Sequence, residues 1–176
     1  RPEPLENRRM GWIDWSLAGF VLVNVAAAMS GAVFKPGAWY EALEKPWWTP
    51  PNWAFPLVWT VIFGMIAVAG WRAHQVAGSL GAAPWAFGAY FLQLFLNAAW
   101  SALFFGLKRP DLGLAEVALL WLSILANALL FMRIDLQAGL LLIPYLAWVT
   151  LAANLTRSIW RLNPEESAWR PAARQV

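Results

Sequence analysis

Five apolar runs, each about as long as a membrane is thick, fix what this chain can fold into. They cover approximately Ile13–Phe34, Pro51–Val76, Pro84–Leu107, Asp111–Met132 and Leu136–Ile159. Each holds roughly twenty residues, which at about 1.5 Å of rise per residue crosses ~30 Å of hydrocarbon. Pro51 and Pro84 sit in the first turn, where a helix tolerates proline. The connections Lys108-Arg109-Pro110-Asp111 and Arg133-Ile134-Asp135 are too short to cross anything. Consecutive helices must therefore run antiparallel. The expected architecture is an all-α membrane protein, a five-transmembrane-helix bundle over residues 12–162. A polar segment, residues 1–11, precedes it and a polar tail, residues 163–176, follows. Arg8–Ser30, with Ala26-Ala27-Ala28, has some look of a signal peptide. The run is long enough to span and similar runs follow, so it reads better as a first membrane helix.

Composition narrows the function. Hydrophobic residues make up 60 % and charged residues 13 %, too few charges to cover a soluble surface. The net charge of +3 comes without a Lys/Arg run, so no nucleic-acid partner is expected. Without cysteine, disulfides, thiolate metal sites and cysteine nucleophiles are excluded. No acidic or basic residue falls in the middle of a run, so an ion pump would lack its relay. Glu116 comes closest, but it lies in the first turns of the fourth helix, where the dipole favours an anion. His74 is the one histidine and ends the second helix, so neither a metal site nor a haem-iron ligand is expected. No hydrolase-type constellation of nucleophile and base is present. The side with the C-terminus carries Lys35, Lys45, Lys108, Arg109, Arg157, Arg161, Arg170 and Arg174; the other carries Arg1, Arg8, Arg9, Arg72 and Arg133. That bias favours a cytoplasmic C-terminus.

Tryptophan is the outlier, at 14 residues. Trp12, Trp15, Trp71, Trp85 and Trp160 lie near helix ends, where an indole suits the headgroup layer. The first loop is different. Trp39, Tyr40, Leu43, Trp47 and Trp48 together would be a liability in water, so the loop either folds back on the bundle as a lid or lies in the interface as an anchor. Its prolines cut the cost of ordering it. Deeper lie Trp59, Trp100, Trp121 and Trp148. Tyr145, Trp148 and Ala152 share one face of the fifth helix, at i, i+3 and i+7, and Pro144 can open that helix locally. Gln93, Asn97 and Ser101 form an i, i+4, i+8 stripe on the third. Such polar groups face the interior as interhelical glue; Asn97, beside Trp100 and Ser101, serves either as glue or as the polar contact of a ligand. An aromatic interior with a few polar groups is the usual lining of a small-molecule site. Ring contacts adding about 0.5–1.5 kcal/mol each beyond burial, together with that burial, can reach the roughly 8 kcal/mol of micromolar binding.

Pro36-x-x-Trp39-Tyr40-x-x-Leu43-x-Lys45-Pro46-x-Trp48-x-Pro50-Pro51, followed by Phe55 and Val58-Trp59, resembles the signature of the tryptophan-rich sensory protein/translocator protein family, TspO, also called the peripheral-type benzodiazepine receptor. Asn97 before Trp100-Ser101, and Pro144-Tyr145-Leu146-Ala147-Trp148, resemble its other landmarks. The resemblance covers about Trp12 to Asn163. It implies a five-helix bundle, often a homodimer in membrane lipid, that binds porphyrins, sterols and benzodiazepine-type ligands beneath the first loop. It places Trp39, Tyr40, Trp59, Asn97, Trp100, Ser101, Trp148 and Ala152 around the ligand, and Tyr145 joins them by its helix face. Porphyrin or haem would be the ligand, with no cofactor required. In bacterial relatives, the positions of Trp59 and Trp148 are implicated in light-dependent porphyrin breakdown, which would make those two residues catalytic. One departure matters. Where animal members carry a cholesterol-recognition tyrosine, this chain has Arg157, so the pattern that would imply high-affinity sterol binding is broken here. The expected function is porphyrin binding and sensing. The alternatives are a light- and oxygen-dependent porphyrin-degrading enzyme and a porphyrin or lipid translocator, the last without inverted repeats to support it.

Overall fold

The structure, a computed structural model, describes residues 14–34 and 36–164. The expected polar segment 1–11, Trp12, Lys35 and nearly all of the tail lie outside the described residues. Every regular element among those described is helical: α1 (Trp15–Val33), α2 (Ala38–Ala42), α3 (Ala54–Ala77), α4 (Pro84–Ser101), α5 (Pro110–Met132), α6 (Leu136–Leu140) and α7 (Ile143–Leu162). Five stretches are long and apolar enough to cross a membrane, the last being α6 and α7 together.

Local chemistry explains the boundaries. Pro84 and Pro110 open α4 and α5, where a missing N–H costs nothing. Gly78, at φ 82°, ends α3 in the left-handed conformation a side chain resists. Two features depart from uniform spans. The fifth breaks at Leu141–Leu142, just ahead of Pro144, whose ring opposes an unbroken helix through that turn. After Ser101 the third widens into a π-helical turn, Ala102–Gly106. It ends near Lys108, a non-glycine residue at φ 55°.

The spans close a ring. α1 packs on α3 and α4, α4 on α5, and α5 on α7, while α3 meets the fifth span chiefly through α6. Because α3 stays close to α6 rather than α7, a lateral gap opens between α3 and α7. Ala27 and Ala86, whose small side chains could have formed helix–helix stripes between copies, are both buried inside the chain. Ala86 offers its carbonyl to the Asn127 amide at 3.1 Å. Gly31 and Ala82, one turn away from them on the same spacing, are exposed.

At one end, Asp14 ties α1 to α3. Its carboxylate accepts the backbone N–H groups of Ser16 and Leu17, the Ser16 hydroxyl, the Trp71 indole at 2.7 Å and the Gln75 amide at 2.9 Å. Trp71 is therefore a clamp as well as a boundary residue. The Ser16 hydroxyl and then the Trp71 indole hold the Asp14 pKa at about 2, below its ordinary 3.8. A depressed carboxylate stabilises the folded state above its unfolded pKa, and that contribution is lost as pH falls through the folded value. The clamp is expected to persist at neutral pH and to release between about pH 4 and pH 2. A fluorescence titration should show this as a Trp71-dependent change that is missing in Asp14→Ala; a wild-type signal flat to pH 2 would contradict it.

Candidate functional site

The opposite end is closed by the first loop, which acts as a lid. Tyr40 and Leu43 are buried with Phe104 of the π turn and with Leu155 and Ile159 of α7, while Trp39 and Trp48 pack against this cluster. Asn163 latches the loop to the end of α7: its Oδ1 accepts the Glu44 N–H and its Nδ2 donates to the Glu44 carbonyl, both at 2.9 Å. Lys45 Nζ lies 4.7 Å from the Tyr40 ring centre. Burial pushes the Tyr40 phenol pKa above its ordinary value. The fold-back is partial, because Trp47 is 96 % and Trp53 68 % exposed. Those two indoles point outward, as do Trp15 and Trp85 at the other end, where the headgroup layer suits them.

At the lid end the expected site residues form two aromatic groups. In the first, Trp100 stacks on Phe104 at 5.0 Å between centroids and 10° between planes. Trp39 meets the edge of Phe104 at 5.8 Å, and Tyr40 meets it at 6.3 Å. In the second, Trp59 of α3 lies 6.5 Å from Trp148 and 6.1 Å from Tyr145 of α7, nearly perpendicular to Trp148 at 89°. Phe55 closes on Trp148 at 5.7 Å. Trp100 packs against the lid cluster and against the main core of the bundle, which includes Tyr145. The Asn97 amide donates to the Tyr145 hydroxyl at 3.0 Å, so Asn97 does bridge helices. Ser101 is buried one turn beyond Asn97, and Ala152 is half-buried on α7. Trp121 lies elsewhere, donating to the Thr150 hydroxyl at the α5–α7 surface.

Trp148 has a second exposure. With Leu57, Val58, Val61, Ile62, Met65, Pro144, Ala147 and Leu151 it lines an open apolar groove of about 570 Å³ between α3 and α7. One wall of the aromatic group thus faces the lipid side of the bundle.

Three features were not anticipated from the sequence. Phe104 is 2 % exposed and lies flat on the Trp100 face that a planar guest would use. Glu116, expected as an anion eased by the helix dipole, instead lies nearly two turns into α5, 6 % exposed, with neither carboxylate oxygen hydrogen-bonded. Gln93, expected as interhelical glue, is fully buried and bonds nothing. Among the described residues, no cluster of His, Cys, Asp or Glu is suited to a metal ion.

Comparison with known proteins points to one family. The model of the TspO/MBR family matches residues 20–161. The chain is 42 % identical to "Protein CrtK" of Rhodobacter capsulatus over 159 residues, covering 86 % of this chain and 96 % of that protein. It is 41 % identical to "Tryptophan-rich sensory protein" of Cereibacter sphaeroides, over 92 % and 98 % of the two chains. It is also 30 % identical to "Translocator protein" of Homo sapiens, over 89 % and 93 %.

Proposed function

The chain belongs to the TspO/MBR family of membrane proteins, and from that premise we propose that it binds and senses porphyrins, haem and its precursors included, together with related hydrophobic ligands of the benzodiazepine type, and so regulates tetrapyrrole handling. One observation carries this reading. Trp39 and Tyr40 of a latched lid group with Trp100, and Trp59, Tyr145 and Trp148 form a second group, with the Asn97–Tyr145 hydrogen bond beside it. Rings set edge-on and stacked supply large planar faces, and Asn97 supplies a polar handle. The groove beside Trp148 gives a hydrophobic guest a route from the lipid. The protein works as a homodimer with its C-terminus cytoplasmic.

Protoporphyrin titrated against intrinsic tryptophan emission in detergent is expected to quench it saturably. Trp59→Phe with Trp148→Phe should weaken binding by roughly tenfold, as two ring contacts are degraded. Unchanged quenching in that double variant would remove this site.

A second reading, photo-oxidative porphyrin breakdown, is favoured by the Trp59–Trp148 pair, two oxidisable indoles 6.5 Å apart. An indole would pass one electron to the excited porphyrin, and molecular oxygen would be the terminal oxidant. Irradiation in oxygen should bleach the bound porphyrin faster in wild type than in Trp148→Phe; equal rates would dismiss the enzyme.

A further inference from the structure

Glu116 is a carboxyl group buried in a membrane bundle with no partner, and its place can be fixed from both neighbouring helices. The Asn127–Ala86 hydrogen bond sets the antiparallel register of α5 against α4. Stepping eleven residues along each brings Glu116 level with Asn97. Gly113, one turn earlier on α5, has its face against the Phe104 ring: a Cβ there would lie 3.0 Å from Phe104 Cδ2. Glu116 therefore sits one turn below the Phe104–Trp100 stack, at the depth where Asn97 donates to the Tyr145 hydroxyl.

Two further polar groups on the same face of α4 lack partners. Trp100 Nε1, three residues beyond Asn97, and both side-chain atoms of Gln93, four residues before it, are buried without a hydrogen bond. The ion pairs among the described residues, Arg72–Asp135 and Arg109–Asp111, lie at the ends of the bundle. Among the described residues no ion pair involves this carboxyl group. A buried acceptor left unmet is costly, and a charged one more so. In a membrane interior such a group marks a functional site by default.

We propose that Glu116 is the specificity-determining acceptor of the interior site, selecting planar aromatic guests that carry an N–H donor, a protonated nitrogen most strongly. This rests on the ligand-binding reading above and names what the deep end of that site recognises. A neutral hydrocarbon guest of the same shape gains burial but leaves the carboxyl group unmet. An N–H⁺ guest gains a charge-assisted hydrogen bond, about twice as strong as a neutral one and strengthened further where water is excluded.

Two fluorescent probes of matched shape test this: aminoacridine, protonated at neutral pH, and acridine, which is not. In non-ionic detergent, wild type is expected to bind aminoacridine on the order of tenfold more tightly than acridine. Glu116→Gln, nearly isosteric, should bring the ratio close to one while leaving acridine binding intact, and Glu116→Asp should retain part of the preference. A ratio that persists in Glu116→Gln overturns the proposal and leaves the ligand site standing; Glu116 then meets internal water alone. If neither probe nor protoporphyrin binds wild type, the ligand site itself falls, and this proposal with it.

Discussion

Phe104→Ala is expected to loosen the empty protein and tighten its grip on a planar guest. Phe104 is nearly fully buried, flat on Trp100, edge-on to Trp39 and Tyr40, and seated in the notch that Gly113 leaves on α5. Removing a buried phenyl ring costs about 3–5 kcal/mol from lost transfer energy and the cavity left behind. That same ring occupies the Trp100 face on which a flat ligand would stack. A guest entering wild type must displace it and forfeit a ring contact of about 0.5–1.5 kcal/mol. Freed of that competition, binding should tighten by up to about tenfold. The π-helical turn that carries Phe104 gives a means of displacement, since such turns hold one residue more than an α-helical turn and occur frequently at functional sites. Thermal unfolding in detergent, with and without protoporphyrin, separates the two effects. The midpoint without ligand should drop and the ligand-induced rise should grow. A smaller rise than in wild type would make Phe104 a wall of the site, not its occupant.

The spans were legible because length and hydropathy alone decide whether a helix crosses a bilayer. The lid was legible for a related reason: no loop displays Trp39, Tyr40, Leu43 and Trp48 to water without something to cover them. The interior was less legible. Glu116 lies six residues after Pro110, near enough to the helix start that the dipole offered a sufficient explanation. Its burial follows from the facing of α4 and α5, which hydropathy does not encode. Phe104 was one phenylalanine among 10, and the π turn that sets its direction has no sequence mark. Ala27 and Ala86 carry no such mark either, since small residues allow close approach equally well within a chain and between chains. Their place inside emerges only once the ring order of the helices is known. The break at Leu141–Leu142 was half visible, because Pro144 announced an irregular turn without saying that a short separate helix precedes it.

That short helix carries the substitution expected to damage the protein most, Gly139→Ala. α6 lies between α5 and α3, and Ala138, Gly139 and Leu142 are buried there. A Cβ at Gly139 would clash with Met132 Cγ and stand 2.6 Å from the Ala128 carbonyl oxygen and 2.7 Å from the Met132 nitrogen. Met132 can swing its flexible side chain away. The carbonyl and the amide belong to the α5 backbone and cannot move without breaking the helix. The added methyl must therefore push α6 off α5, at a cost of about 3 kcal/mol or more. The damage travels, because α6 is the contact through which α3 meets the fifth span, and α7 follows directly with Tyr145 and Trp148. Lifting α6 should separate those residues from Trp59, so stability and porphyrin quenching are expected to fall together. Gly64→Ala is the matched control. It lies inside α3, where an added Cβ meets nothing within 4 Å, and a helical glycine replaced by alanine gains roughly 0.5–1 kcal/mol. Thermal midpoints in the same detergent should therefore move in opposite directions. A Gly139→Ala protein as stable as wild type would mean that α6 is not held against α5 at this distance.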